Sequence, residues 1–246
     1  MTEPIIATVN KVNERFYRNR ENLFESLTDF CQQTLEKACV ENGNASFMVS
    51  GGSTPAPLYQ RLSRRVMSWQ KIDVALVDER WVEPDDENSN QRFIKNTLLQ
   101  HNASDVRFTG LKTSQPSAEQ GLSDATKDYE SLPNPWDLTI LGMGADGHTA
   151  SIFPDAQGTE EALREDHEQI LAAIIANPSE VTGDNLERMT LSHHGLMKSK
   201  RIVLLITGEE KLDVYRQALN EPDHNKMPIS AVLQQNQVPL HVFWAP

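Results

Sequence analysis

Short, mainly apolar runs alternate with amphipathic segments along most of this 246-residue chain, and this alternation limits its fold more than any other feature. The runs at residues 46–49, 72–77, 136–141 and 201–206 are nearly continuous, which is typical of strands buried on both faces. Segments with helical spacing separate them, and a strand, helix, strand succession implies parallel pairing. We therefore predict an α/β fold: a parallel-dominated open sheet with helices on both faces, arranged as a Rossmann-like three-layer sandwich.

The same patterns predict the individual elements. Further strands are expected near residue 106 and at 170–176, 188–192 and 240–244, the second and third of these as a hairpin. Helices are expected at 16–40, 55–66, 90–99, 117–130, 209–219 and 229–234, with an acidic loop at 78–88. No internal repeat or linker interrupts this order, so we expect residues 1–246 to form a single domain.

Charge and composition argue against several classes of partner. The net charge of −12 opposes attraction to nucleic acid or to an anionic membrane. No apolar run approaches the roughly 20 residues that span a bilayer, and the N-terminus lacks a signal-peptide pattern, so we expect a cytoplasmic protein. The sequence does not indicate its oligomeric state.

Cysteine and histidine spacing predicts neither a disulfide nor a metal centre. Cys31 and Cys39 fall about two turns apart in one expected helix, too far along the axis to bridge, so we predict free buried thiols. Neither belongs to a C-x-x-C pair. The doublet His193 and His194 lacks the i, i+4 spacing of a helical metal site.

A glycine-rich turn follows the apolar run at 136–141. Within residues 141–151, LGMGADGHTAS, Asp146 and His148 stand two residues apart, as a base and the carboxylate that orients it would. Residues 142–147 also fit the dinucleotide fingerprint G-x-G-x-x-G, but Asp146 would set an anion beside a pyrophosphate and Pro154 leaves little room for the required helix. The segment alone favours a catalytic histidine and a plain tight turn about equally.

One other segment offers uncharged groups for binding an anion at the end of an expected strand. Residues 50–55, SGGSTP, combine glycines at 51 and 52 with the hydroxyls of Ser53 and Thr54, which suits a phosphate cradle or a simple helix N-cap. No lysine follows the glycines, so this is not a nucleoside triphosphate loop.

Charged residues lie at the ends of three further strands. Asp78, Glu79 and Arg80 come after the run at 72–77 and are either a solvated ion pair or part of a site. Arg188 lies in ERMTLS at 187–192, and Lys211 closes TGEEK at 207–211. A single cation is most often a surface residue, but two at the mouth of a sheet beside residues 50–55 would form an anion site.

These segments together resemble the 6-phosphogluconolactonases, within the superfamily that also holds glucosamine-6-phosphate deaminase. The resemblance rests on SGGSTP at 50–55, DERWV at 78–82, GMGADGHTASIFP at 142–154, ERMTLS at 187–192 and TGEEK at 207–211, in this order. It implies hydrolysis of 6-phospho-D-glucono-1,5-lactone in the oxidative pentose phosphate pathway, without a metal or organic cofactor. Alternatives are an isomerase or deaminase on the same fold, with Asp78 as the base, and a sugar-phosphate sensor without catalysis.

The resemblance also implies a role for each site residue. His148 would deprotonate the attacking water and then protonate the leaving ring oxygen, while Asp146 orients it. Arg80, or a backbone N–H of the turn at 142–147, would stabilise the oxyanion. The remaining contacts would come from two groups, the phosphate ligands Gly52, Ser53, Thr54, Arg188 and Lys211 and the sugar ligands Asp78 and Asn90.

Overall fold

The computed structural model describes residues 5–9 and 12–246 and contains eleven strands and eight α-helices over those ranges. The strands are β1 (Ile5–Val9), β2 (Val12–Phe16), β3 (Ala45–Val49), β4 (Ile72–Leu76), β5 (Asp78–Arg80), β6 (Arg107–Thr109), β7 (Leu138–Leu141), β8 (Leu171–Ile175), β9 (Glu187–Leu191), β10 (Ile202–Thr207) and β11 (Leu240–Ala245). The helices are α1 (Arg20–Asn42), α2 (Ala56–Leu62), α3 (Asn90–Thr97), α4 (Ala118–Glu130), α5 (Thr159–Leu163), α6 (His193–Met197), α7 (Glu209–Ala218) and α8 (Ile229–Gln234).

The main sheet has eight strands in the order β1-β2-β11-β10-β7-β3-β4-β6. Every neighbouring pair from β2 to β6 is parallel, and only β1, at one edge, runs antiparallel. This is the parallel-dominated open sheet that the apolar runs predict, so the expected fold class is confirmed. The side chains of β3 are all buried, as strands covered on both faces require.

The strand order reverses next to β3. The chain passes from β3 to β4 and β6 on one side, and then returns to β7, β10 and β11 on the other. Loops that leave the carboxyl ends of β3 and β7 therefore separate and leave a crevice between them, which is where open α/β sheets bind their ligands.

A second, three-stranded sheet lies against the first. It is antiparallel, in the order β5-β9-β8, and β8 and β9 form the hairpin expected at residues 170–192. Backbone hydrogen bonds join the two sheets where β4 ends, because the N–H of Leu191 donates to the carbonyl of Val77 at 2.8 Å. The small sheet is thus fixed beside the carboxyl edge of the large one.

Helix α1 shows how the sequence sets the ends of an element. The side chain of Asn19 accepts a hydrogen bond from the N–H of Asn22, which caps the first turn, and Gly43 ends the helix at φ +82°. Leu23, Leu27 and other residues spaced by four are buried against the sheet. No helix among the described residues is both long and apolar enough to cross a bilayer.

Several expectations about individual elements need correction. The helix predicted at 16–40 begins only at Arg20, because Phe16 completes β2 and Asn19 supplies the cap. The helix predicted at 55–66 ends at Leu62. The acidic loop predicted at 78–88 begins with a strand, β5, whose partner is β9. Helices α5 and α6 were not anticipated, since each has only five residues.

Cys31 and Cys39 are free and buried in α1, as predicted. Burial raises the pKa of both thiols. Both side chains therefore act as small apolar core residues.

Candidate active site

A cleft of about 400 Å³ opens at the carboxyl edge of the main sheet. The loops after β3 and β7, the end of β10 and the beginning of α7 form one wall, and the small sheet forms the other. The cleft therefore occupies the crevice at the reversal of strand order.

The turn after β7 carries a paired imidazole and carboxylate. Nδ1 of His148 lies 2.6 Å from Oδ1 of Asp146, and the same oxygen accepts the backbone N–H of His148 at 3.1 Å. Partial burial would raise the pKa of Asp146, but the hydrogen bonds and charge of His148 outweigh it and hold that pKa below its usual range. An ionised Asp146 requires a proton on Nδ1, which leaves Nε2 of His148 as the basic nitrogen.

Gly144 makes this pairing possible. A Cβ at this position would lie 2.0 Å from Nδ1 of His148 and 2.3 Å from Oδ1 of Asp146, so only glycine lets the two side chains meet there. The turn is closed by a hydrogen bond from the N–H of Gly144 to the carbonyl of His148 at 2.9 Å. Gly147, at φ +80°, packs against Met227. No helix follows until α5, which agrees with the rejection of the dinucleotide fingerprint.

The loop at 50–55 forms the floor beside this turn. Gly52 adopts φ +96°, and a Cβ on Gly51 would lie 1.9 Å from Oδ1 of Asn90. The hydroxyl of Tyr59 donates to the carbonyl of Ser50 at 2.9 Å, and this bond fixes the start of the loop. Helix α2 is capped by Pro55 without a side-chain hydrogen bond, so neither Ser53 nor Thr54 serves as the N-cap that was the simpler interpretation.

The small sheet contributes two arginines that are direct cross-strand neighbours. Arg80 of β5 pairs with Arg188 of β9 in the register, and both line the cleft. Like charges in this arrangement repel each other, and a bound anion would relieve that repulsion. Nε of Arg80 is buried without a hydrogen-bond partner, while its Nη1 donates to the carbonyl of Asn88 at 2.6 Å.

Arg188 is only 3% exposed. Its Nε donates to the carbonyl of Asn185 at 2.6 Å and its Nη2 to that of Thr182 at 2.8 Å, so backbone groups rather than a carboxylate hold it. Burial, and then the charge of Arg80, lower its pKa to about 10, although Asp78 and Glu79 oppose that shift. A buried cation held this way keeps its charge available for a ligand.

Lys211 reaches the cleft from the first turn of α7, on the wall that faces the small sheet. Burial lowers its pKa, in spite of the opposing charges of Glu210 and Asp146. Within the described residues no ion pair of Lys211 falls within 4 Å, so its ammonium also remains available.

Asp78 and Asn90 are buried at the junction of β4, β5 and α3. Oδ2 of Asp78 accepts a hydrogen bond from the hydroxyl of Ser151 at 2.6 Å, and Nδ2 of Asn90 donates to the carbonyl of Asp78 at 2.9 Å. These bonds fix both side chains at the wall of the cleft while leaving further acceptor capacity on each.

Comparison with known proteins identifies the family. The family model described as glucosamine-6-phosphate isomerases/6-phosphogluconolactonase matches residues 18–244. A 6-phosphogluconolactonase of Rhizobium meliloti is 38% identical, over 95% of this chain and 99% of its own length. The crystal structure of a 6-phosphogluconolactonase from Shewanella baltica aligns with a TM-score of 0.90 at 40% identity, covering 99% of this chain and 100% of that one.

The chain belongs to the glucosamine-6-phosphate isomerase/6-phosphogluconolactonase family. A putative 6-phosphogluconolactonase from Neisseria gonorrhoeae has the same fold, with a TM-score of 0.84 at 30% identity and coverage of 95% of this chain and 99% of that one. A monomeric glucosamine-6-phosphate deaminase, at 20% identity and a TM-score of 0.76, shares the architecture.

Nine of the ten site residues expected from the family resemblance line the one cleft. They are Gly52, Ser53, Thr54, Asp78, Arg80, Asn90, His148, Arg188 and Lys211. Asp146 lies behind His148 rather than at the surface of the cleft, as a residue that orients a base would.

Two features in or beside the cleft escaped the sequence interpretation. Glu79 is not a solvated ion-pair partner: it is fully buried, and its carboxylate accepts hydrogen bonds from the N–H groups of Asn90, Gln91 and Arg80 and from the hydroxyl of Ser89. Burial raises its pKa, although these four bonds oppose the shift. Phe153, within the motif at 142–154, lines the cleft beside both His148 and Arg188.

Proposed function

We propose that this chain hydrolyses 6-phospho-D-glucono-1,5-lactone to 6-phospho-D-gluconate, a step of the oxidative pentose phosphate pathway. This substrate carries an ester in a ring and a phosphate on the carbon outside it, so its enzyme needs a base and a group of cations in one cleft. The pairing of His148 with Asp146 in the same cleft as the cations Arg188 and Lys211 carries the proposal. The names of the relatives support it.

In the first step, Nε2 of His148 takes a proton from a water molecule as the water oxygen attacks the ester carbonyl carbon. The imidazolium that forms is stabilised by the carboxylate of Asp146 at Nδ1. General-base help of this kind contributes about 10²–10⁴ in rate.

The carbonyl oxygen becomes an oxyanion in the tetrahedral intermediate and needs a donor. Arg80 can supply one from the small sheet. Within the turn, the N–H groups of Gly144 and Gly147 already bond to backbone carbonyls, so those of Gly142, Met143 and Ala145, which all line the cleft, are the backbone candidates.

In the second step, the bond between the carbonyl carbon and the ring oxygen breaks. The proton held on Nε2 of His148 passes to that oxygen, which becomes the C5 hydroxyl of the product. The new carboxyl group then releases the second proton of the water molecule to solvent, which gives the carboxylate of 6-phospho-D-gluconate. These transfers involve only water, His148 and the ring oxygen, so the proposal uses no metal or organic cofactor.

The phosphate is assigned to the loop residues Gly52, Ser53 and Thr54, with Arg188 and Lys211 above them. The positive φ of Gly52 and the uncommitted hydroxyls of the loop suit close approach of an anion. Asp78 and Asn90 are assigned to the sugar hydroxyls, since an ionised carboxylate accepts from a hydroxyl and an amide can do either.

A coupled assay tests the proposal. Fresh lactone is made with glucose-6-phosphate dehydrogenase, and product is detected with 6-phosphogluconate dehydrogenase after subtraction of spontaneous hydrolysis. We expect His148→Ala to lose about 10³ in kcat while still binding 6-phosphogluconate. His167→Ala, a histidine outside the cleft that pairs with Glu161, is the matched control and should remain active.

Near-wild-type turnover of His148→Ala would contradict the mechanism. Release of ammonia from glucosamine 6-phosphate would instead indicate a deaminase. Tight binding of 6-phosphogluconate by a wild-type protein that does not hydrolyse the lactone would indicate a sensor.

A further inference from the structure

One aromatic ring contacts both halves of the cleft. The ring centroids of Phe153 and His148 are 4.6 Å apart at an interplanar angle of 39°. The guanidinium carbon of Arg188 lies over the same phenyl ring, 5.4 Å from its centroid. Phe153 therefore touches the proposed base and a proposed phosphate ligand at once.

The ring is itself held rigidly. Phe153 is 4% exposed and belongs to a small apolar cluster, separate from the main core, that also contains Ile152, Ala156, Ala162, Ile174 and Ala176. Its carbonyl accepts the hydroxyl of Thr159 at 2.7 Å, so the backbone at this point is fixed as well. A side chain packed this way has little freedom to follow either neighbour.

Phe153 gives Arg188 and His148 each a contact that their hydrogen bonds do not provide. Arg188 is buried and held by two backbone carbonyls with no carboxylate within ion-pair distance among the described residues, so the electron-rich face of a phenyl ring supplies part of the compensation for its charge. His148 is fixed at Nδ1 by Asp146, but a single hydrogen bond leaves the imidazole plane free to tilt. Packing against Phe153 restricts that tilt.

We infer that Phe153 is a positioning residue. Its ring contacts both the imidazole of His148 and the guanidinium of Arg188, and so fixes the distance between the proposed base and this proposed phosphate ligand. The inference rests on the proposed function. It deepens that function by adding a residue that does not itself bond to substrate. A misplacement of about 1 Å between these groups is enough to lower the rate substantially.

Stepwise fluorination of the ring tests this without changing the fold. Replacing Phe153 by 4-fluoro-, 3,5-difluoro- and 3,4,5-trifluorophenylalanine withdraws electron density from the ring face while keeping its shape. We expect KM for the phosphorylated lactone to rise with each fluorine, to roughly 3- to 10-fold, with kcat within about twofold. The same analogues at Phe108, a partly buried phenylalanine of β6 outside the cleft, should change neither constant.

A second variant tests the contact with His148. Phe153→Leu keeps an apolar side chain of similar size but removes the ring, so kcat should fall several-fold in addition to a roughly tenfold rise in KM. Leu163→Ala, which weakens the same small cluster without touching the cleft, controls for loss of packing and should leave the kcat and KM near wild type.

If the wild-type enzyme hydrolyses the lactone but kcat and KM do not change across the fluorinated series at Phe153, the role of Phe153 is overturned and the proposed function stays intact. An equal change in the series at Phe108 would also overturn it. A wild-type protein with no lactonase activity would instead refute the proposed function, and this inference with it.

Discussion

The two walls of the cleft are built in different ways. The main-sheet wall consists of tight loops that follow parallel strands, and it carries the His148 and Asp146 pair within three residues of chain. The small-sheet wall consists of strands far apart in sequence, and it brings Arg80 and Arg188 together across an antiparallel ladder. One wall is shaped by backbone turns and the other by buried side chains.

This difference separates two tasks. The glycine-rich turn needs accurate local geometry, because the imidazole must meet its carboxylate and a water molecule. The small sheet needs a way to hold two like charges close together, which backbone carbonyls, Phe153 and the buried Glu79 provide. We therefore expect damage to the turn that carries His148 and Asp146 to lower kcat, and damage to Arg188 or Glu79 of the small sheet to raise KM or lower stability.

The largest effect is expected from Gly144→Ala. The new methyl group would lie on the contact between His148 and Asp146, so the pair must separate, and kcat should fall about 10³-fold. The free energy of unfolding should change by less than about 1 kcal/mol, because the backbone at this position is not in the left-handed region.

Gly142→Ala is the matched control, since a Cβ there meets nothing within 4 Å. Its kcat should stay much closer to wild type. If the two alanine variants had equal kcat, the turn would not depend on the space that Gly144 leaves.

Glu79→Ala should be the most destabilising change in the small-sheet wall. It removes the acceptor of four hydrogen bonds in a fully buried position and leaves their donors without partners, which should cost about 3 kcal/mol. Chemical denaturation measures this loss directly. Glu83→Ala, which removes an exposed carboxylate 3.4 Å from Lys112, should change stability by less than about 0.5 kcal/mol. Equal stability of the two variants would show that Glu79 does not anchor α3 to β5.

Arg188→Met should affect binding rather than chemistry. We expect KM for the phosphorylated lactone to rise about 50-fold with a smaller fall in kcat, because a phosphate contact acts largely as uniform binding. Glucono-1,5-lactone, which lacks the phosphate, provides the comparison: its kcat/KM should be nearly the same for wild type and variant. A pure loss of kcat on the phosphorylated substrate would contradict the assignment of Arg188 to the phosphate.

The sequence predicts the main-sheet wall well because the signals for that wall are local. Buried strands show as apolar runs, and the loops that follow them carry glycine, serine and acid-histidine patterns within a few residues. Placing those loops at one edge requires only that the strands be parallel. The start of α1 was misplaced although its signal was local: Phe16 fits a helical period, but Asn19 marks the cap.

The small-sheet wall could not be predicted in the same way. Strand β5 has three residues, too few to show a period, and its partner β9 begins more than 100 residues later. The adjacency of Arg80 and Arg188 is therefore a property of tertiary pairing. Glu79 looked like a surface acid for the same reason, and the sequence does not distinguish Phe153 from the rest of the motif at 142–154, because its two neighbours are known only from the structure.

The smallest expected effect concerns Lys211, a cation on the main-sheet wall. Burial lowers the pKa of Lys211, so its ammonium is charged below that pKa and loses its proton as the pH rises through it, earlier than an exposed lysine would. Binding of 6-phosphogluconate, measured by calorimetry as the pH rises from neutrality but stays below the pKa of Arg188, about 10, should weaken by a few-fold. Lys211→Arg keeps its charge throughout and should bind with an affinity that changes little with pH. A constant affinity in the wild-type protein, or an equal decline in Lys211→Arg, would show that the ammonium of Lys211 does not hold the phosphate and would leave that task to Arg188 and the loop at 50–55.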